Sequence, residues 1–179
     1  VSESSGRGAH SDDPLETLRG LRATRWFTDR EVTEQQLRRL LEVARWTGSA
    51  RNRQPWRLHT VRDQERRERL SRCGSYALHL SQAPVVVLLA LDHSGQDAEF
   101  DGGRIAQAIM TAAHFDGLGS CPATFFPREN ADRASALAGF AAPWSVRTGI
   151  ALGWPAPRPP GRSAIPAGRL PLDRIWSGE

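Results

Sequence analysis

The stretch GSARNRQPWR, residues 48–57, crowds Ser49, Asn52 and Gln54 among arginine, proline and tryptophan where a short turn would have sufficed. Hydroxyl and amide groups beside an indole suit a planar, heteroatom-rich ligand, with polar groups at its rim and apolar contact on its face. The same residues also suit a turn that ends one helix and starts a strand, and both readings stand at this point. In RATRWF (22–27), Arg22 and Arg25 are three apart. On a helix that spacing shares one face and allows a bidentate grip on phosphate; arginine equally suits the C-terminal end of a helix dipole. GLGSCPATFF (117–126) carries two glycines after a helix and before a strand, the reverse of the dinucleotide-binding order, and it lacks the third glycine. Gly117 reads as a helix stop. Pro122 leaves neighbouring backbone N–H groups unpaired by a sheet and free to meet a ligand.

No stretch pairs a nucleophile with a base. Cys121 follows no reactive motif and reads as a small buried hydrophobe. His59, His79, His93 and His114 are scattered without metal-ligand spacing. Asp92, Glu99 and Asp101 flank a loop without forming an acid/base pair. All 24 of the Lys+Arg positions are arginine, which excludes a lysine Schiff base and a P-loop lysine. Cationic and amide groups with no acid, base or nucleophile point to chemistry carried by a cofactor.

The elements that must position these groups are legible from periodicity. Asp12 or Asp13 before Pro14 starts a helix carrying Leu15, Leu18 and Leu21. Thr33 and Gln36 make a capping box, and Leu37, Leu40, Leu41 and Ala44 form the stripe of a helix over 34–47. RLHTVR (57–62) alternates as a half-buried strand with Leu58 and Thr60 on one face. Asp63 caps a charged helix ended by Gly74. PVVVLLAL (84–91) reads as a central strand covered on both faces. Residues 98–116 form a buried helix including Phe100; SCPATFF is a strand, ENADRASALAGF a helix and SVRTGIALG a strand. This alternation around one sheet is α/β or α+β.

At 179 residues the chain suits one domain. Its polar residues 1–12 read as a disordered lead-in without the apolar centre of a secretory signal, and 13–179 as the domain. The longest apolar run is too short to span a bilayer. Two cysteines, with no Cys/His cluster, argue against a disulfide framework or a metal site and for a reducing cytoplasm. Net charge is +4, yet the densest basic run, RDQERRERLSR (62–72), alternates arginine with glutamate like a solvated helix face and has no aromatic residues to stack bases. A nucleic-acid partner is not expected.

In order, RATRWFTDREV, GSARNRQPWRLHTVRD, DGGRIAQAIMTAAHFDGLGSCPATFF, WSVRTGIALGWPAP and RLPLDRI resemble the nitroreductase family of FMN-dependent oxidoreductases, over about residues 15–175. The resemblance implies an α+β domain with a central mixed β-sheet flanked by helices, and a homodimer holding FMN at its interface. It implies two-electron transfer from NAD(P)H to a flat, electron-poor aromatic or conjugated acceptor in ping-pong order. Arg22 would meet the FMN phosphate, and Arg25 the phosphate or the pyrimidine edge. Ser49 and Asn52 would approach the ribityl chain and ring edge from one subunit, with Gln54 and Trp56 shaping that loop. Pro122 and Thr124 would lie beside the isoalloxazine, a backbone N–H near Thr124 facing N5. Arg169, with Arg162, would return to the phosphate. Two other activities fit the same resemblance: a biosynthetic dehydrogenase using FMN and oxygen, and a flavin-storing protein without turnover. Phe125 stands where many relatives have glycine, which would narrow access to the flavin face. The segment RCGSYALHLSQAP lacks the asparagine and lysine that several relatives offer the pyrimidine ring.

Overall fold

The computed structural model describes residues 13–160 and 168–178; the expected lead-in and Arg162 lie outside them. Strand β2, Val85–Asp92, is the centre of a four-stranded sheet. Every side chain from Val85 to Leu91 is at most 3% exposed. Burying one such aliphatic side chain contributes about 1.5–3 kcal/mol. β2 pairs with β1 (Trp56–Val61) on one side and β4 (Trp144–Gly153) on the other. β3 (Gly119–Thr124) pairs with β4, so the order is β1-β2-β4-β3. All of these pairings are antiparallel. The α+β class holds, but the expectation of a mixed sheet is corrected among the described residues. A continuous apolar run reports burial on both faces and carries no information about strand direction.

The two faces have separate cores. Val85, Val87, Leu89 and Leu91 pack with α2 (Glu34–Arg45) and α5 (Ala98–Phe115). Val86, Leu88 and Ala90 pack with α3 (Gln64–Ser71), α4 (His79–Gln82) and α6 (Arg128–Leu137). The register shifts between Leu89 and Ala90, which pair with Thr148 and Val146, leaving Arg147 as the extra residue of a bulge. The bulge reverses side-chain parity in β4: Ala151 and Val146, an odd and an even position, both enter the second core.

Local signals explain the helix starts. Thr33 Oγ1 accepts from the Gln36 N–H at 3.2 Å and Gln36 Oε1 from the Thr33 N–H at 3.1 Å, completing the capping box of α2. Asp63 accepts from the Arg66 N–H at 2.8 Å and caps α3. The charged run is not wholly solvated, however. Arg67 is buried and donates to the carbonyls of Ala83 and Ser81, tying α3 to the chain that enters β2. α5 buries the face with Ala98, Gly102, Ile105, Ile109 and Ala113, whereas Phe100 faces solvent, and Thr60 on β1 is likewise exposed.

Phe125 follows β3 with odd parity, so it turns into the second core with Ala123. A Cβ at Gly149 would lie 3.1 Å from Phe125 Cζ, so the ring rests on bare backbone. Phe125 is fully buried, and it points to the face opposite Pro122 and Thr124. The expectation that it narrows access to a ligand on their face is therefore corrected. Phe125→Ala should cost about 3–5 kcal/mol, the range for emptying a buried aromatic site. Exposed Phe126→Ala should cost far less. Urea unfolding of the two variants side by side checks this, and equal midpoints would refute it.

Candidate functional site

Helix α1, Pro14–Gly20, is capped by Asp13, whose side chain accepts from the Leu15 N–H at 2.8 Å. It stops at Gly20, and Leu21 leaves it with ψ 129. Arg22 and Arg25 therefore do not share a helical face; this expectation is corrected. The chain from 22 to 28 instead runs along the start of β3. The Thr24 N–H donates to the Ser120 carbonyl at 2.8 Å, and the Ala156 N–H to the Trp26 carbonyl at 3.0 Å. Phe27 bridges to Pro155. A Cβ at Gly119 would sit 2.6 Å from the Thr24 Cβ, so only glycine at 119 permits this approach.

Arg22 thereby lines a cavity of about 680 Å³ with Thr24, Ser120 and Pro122, floored by Met110 and His114 of α5. That size lies within the range of roughly 300–1,000 Å³ typical of cofactor and small-molecule pockets. The Arg22 guanidinium donates to the carbonyls of Arg19 at 2.7 Å and Leu21 at 2.8 Å, gathering where α1 ends. Ser120, Pro122 and Thr124 alternate onto one face of β3, with Pro122 and Thr124 exposed. The Phe125 N–H donates to the Arg147 carbonyl at 2.8 Å, which marks the odd residues as those bonded across to β4. The backbone groups of Thr124 consequently point away from β4, and Pro122 has no N–H there.

Arg25 is on the other side of this edge, where its charge acts on His79 and Cys121. His79 is only 4% exposed and its Nε2 has no hydrogen-bond partner among the described residues. Burial, and then the Arg25 charge, hold its pKa below the ordinary imidazole value, against the carbonyls of Cys121, Tyr76 and Pro122. Burial raises the Cys121 thiol pKa, with Arg25 opposing it. A neutral buried thiol is a poor nucleophile.

The Ser49–Gln54 segment is a 3₁₀ turn in an uncommon backbone conformation. Arg51, Asn52 and Gln54 have φ of 54, 52 and 49. Non-glycine residues held there are strained, and such strain clusters at functional sites. Ser49 Oγ accepts from the Gln54 N–H at 2.9 Å, and the Gln54 side-chain amide donates to Asn52 Oδ1 at 3.1 Å. Asn52 and Gln54 are exposed, whereas Trp56 is core. This segment leads into β1, the edge opposite β3. Three inter-strand spacings, about 14 Å, separate the edges. One chain therefore gathers Arg22, Pro122 and Thr124 on one side, and Ser49, Asn52 and Gln54 on the other. Arg169 is exposed, donates to the Gly168 carbonyl at 2.8 Å and is outside the cavity wall. Sequence reasoning missed Met110 and His114 as cavity floor; both lie on the cavity side of α5, which only packing identifies.

The Nitroreductase family model matches residues 18–73. The chain is 29% identical over 170 residues, 90% of its length and 87% of its relative's, to a Methanothermobacter thermautotrophicus protein named "Putative NADH dehydrogenase/NAD(P)H nitroreductase". Among solved structures it is similar to an FMN-dependent nitroreductase from Clostridium difficile R20291, with TM-score 0.75 and 23% identity over 84% of this chain and 92% of that one. It is also similar to the NADPH:FMN oxidoreductase of Vibrio harveyi complexed with NAD+, with TM-score 0.73 and 23% identity over 90% of this chain and 80% of that one. The architecture is thus the nitroreductase fold. Over residues 18–73 the chain carries the family's own sequence pattern, and the resemblance read from the sequence holds.

His79 gives a pH test of this packing. Its folded pKa is below the unfolded value near 6.5, so the unfolded state binds more protons as pH falls. Stability from neutral His79 is present above pH 6.5 and lost as pH drops through the folded pKa. His59 shifts the same way, through burial and then the Arg66 charge. Urea midpoints measured from about pH 7.5 to about pH 5 should fall more steeply for the native chain than for His79→Gln. Parallel slopes would place His79 in contact with water.

Proposed function

We propose that this chain is an FMN-dependent NAD(P)H oxidoreductase that works as a homodimer, with the cofactor held between two copies. The observation that carries this reading is the division of the candidate groups between opposite edges of one sheet. The cavity with Arg22 lacks the hydroxyl and amide groups of Ser49, Asn52 and Gln54, and a second copy can supply them. The donor set fits the cofactor. Arg22 offers a permanent cation for a phosphate, Met110, Leu118 and Pro122 offer apolar walls for a ring system, and the open edge of β3 offers backbone groups at Thr124.

Association has apolar surface to use. Val43 and Trp46 on and after α2 are 51% and 76% exposed, and Phe100 and Phe115 on α5 are 70% and 56% exposed. In the C-terminal segment Leu172, Ile175 and Trp176 are 67–68% exposed. Covering these rows requires a partner surface of similar chemistry, which a second copy presents.

FMN when bound supplies two-electron transfer, taking electrons from NAD(P)H and passing them in ping-pong order to a flat aromatic or conjugated acceptor. The chain's part is to bind and orient. Arg22 holds the phosphate; Arg25, across the β3 edge, and Arg169, outside the cavity wall, would reach the cofactor only where association brings them to it. Thr124 presents its backbone N–H, and Pro122 keeps one ring face dry. Ser49, Asn52 and Gln54 of the second copy bond the ribityl chain and ring edge. No titrating side chain is needed in the cavity. Among the described residues no helix is long and apolar enough to cross a membrane. Both cysteines are free and buried, which suits a reducing cytoplasm.

The test is the visible spectrum of the purified protein, followed by anaerobic NADPH or NADH. A flavin spectrum that bleaches is expected; a protein that cannot take up FMN refutes the reading. Arg22→Ala should weaken FMN binding by about 1–3 kcal/mol, the scale of a lost charge-assisted hydrogen bond. Unchanged affinity by fluorescence titration would remove Arg22 from the site.

A further inference from the structure

We infer that Asp101 and Arg104 of α5, together with Asp97 and Arg53, form a clamp that sets the shape of the Ser49–Gln54 loop, and that Arg104 is a positioning residue for cofactor binding. This rests on the reading of that loop as half of an FMN site. Asp101 lies in the first turn of α5 and is only 2% exposed. A carboxylate so buried needs a paired cation. Arg104 Nη1 supplies it at 3.4 Å and, from the same nitrogen, donates to the Gly48 carbonyl at 2.6 Å. A guanidinium held by a buried acid is fixed in place, and it fixes the residue that enters the loop.

The exit of the loop is held in the same way. Arg53 Nη2 meets Asp97 Oδ2 at 2.6 Å, and its Nε donates to the Ala50 carbonyl at 3.3 Å. Arg53 reaches Asp97 by crossing Gly95, where a Cβ would stand 2.9 Å from Arg53 Nη1. Two arginines therefore tie both ends of one short segment to the start of one helix. Between the ties lie the three left-handed residues Arg51, Asn52 and Gln54. Strained backbone persists only where its surroundings over-determine it. The backbone N–H bonds inside the loop are few, Asn52 N–H to the Ser49 carbonyl, Arg53 N–H to the Ala50 carbonyl and Gln54 N–H to Ser49 Oγ, and the Gln54 side-chain amide adds a bond to Asn52 Oδ1. The clamp supplies the remaining constraint, and with it the directions of Ser49 and Asn52. Arg104 is half-exposed and its loss empties no core site.

Arg104→Met and Arg53→Met remove the two ties separately, and Arg104→Lys keeps a cation with several donors. In the full chain without cofactor, hydrogen exchange at the Asn52, Arg53 and Gln54 amides should quicken in both methionine variants, while the amides of β2 and the later turns of α5 keep their native rates. FMN titration should show a dissociation constant about tenfold higher for Arg104→Met, the scale of a charge-assisted bond lost from a preorganised site. Arg104→Lys should recover most of both effects. Native exchange in both methionine variants, faster exchange throughout α5, or faster loop exchange with unchanged FMN affinity would each overturn the inference. A native chain that takes up no FMN would refute the cofactor reading instead, and loop exchange would still decide the clamp.

Discussion

The molecule is organised by the burial of β2 on both of its faces. A strand with Val85, Val87, Leu89 and Leu91 on one side and Val86, Leu88 and Ala90 on the other cannot lie at an edge or face water. Helices must cover both sides, and β1 and β4 must flank it, which leaves β1 and β3 as the sheet's edges. The segments that carry ligand-type chemistry are attached to those edges. Their separation follows directly from the position of the most apolar strand. A site that needs both sets is incomplete in one chain, which ties the proposed activity to association.

Arginine serves three distinct purposes in this lysine-free chain. Arg67 is buried and satisfies carbonyls between α3 and β2, a task that suits a planar fork with several donors. Arg53 and Arg104 pair with acids at the start of α5 and hold a strained loop. Arg22 bonds the carbonyls at the end of α1 and faces a cavity. Composition alone does not separate these uses. Each depends on whether an acid, a carbonyl or open space lies within reach of the guanidinium.

Glycine makes the cavity side possible. With no Cβ at Gly119, Thr24 can close on β3 and bond Ser120, and the extended chain that results aims Arg22 at the cavity. The same contact carries Arg25 toward His79 and Cys121 on the other side of the edge. In an extended segment, residues three apart point in opposite directions, whereas on a helix they would have coincided.

By itself the sequence determined those features that depend on neighbours along the chain. The Thr33–Gln36 capping box, the Asp63 cap, the α2 stripe and the apolar run of β2 were all legible, because caps and periodicity act over a few residues. The ordered set of stretches was legible as a family pattern, which residues 18–73 match. Only the tertiary structure decided the rest. Strand direction was not written in the apolar run, since burial is the same for parallel and antiparallel neighbours. Phe125 became core through the parity of β3, and Arg22 and Arg25 parted because Gly20 ends the helix before them. The division of the candidate site between two edges is a property of sheet order, and sheet order is set by which faces bury together, at distances no local pattern encodes.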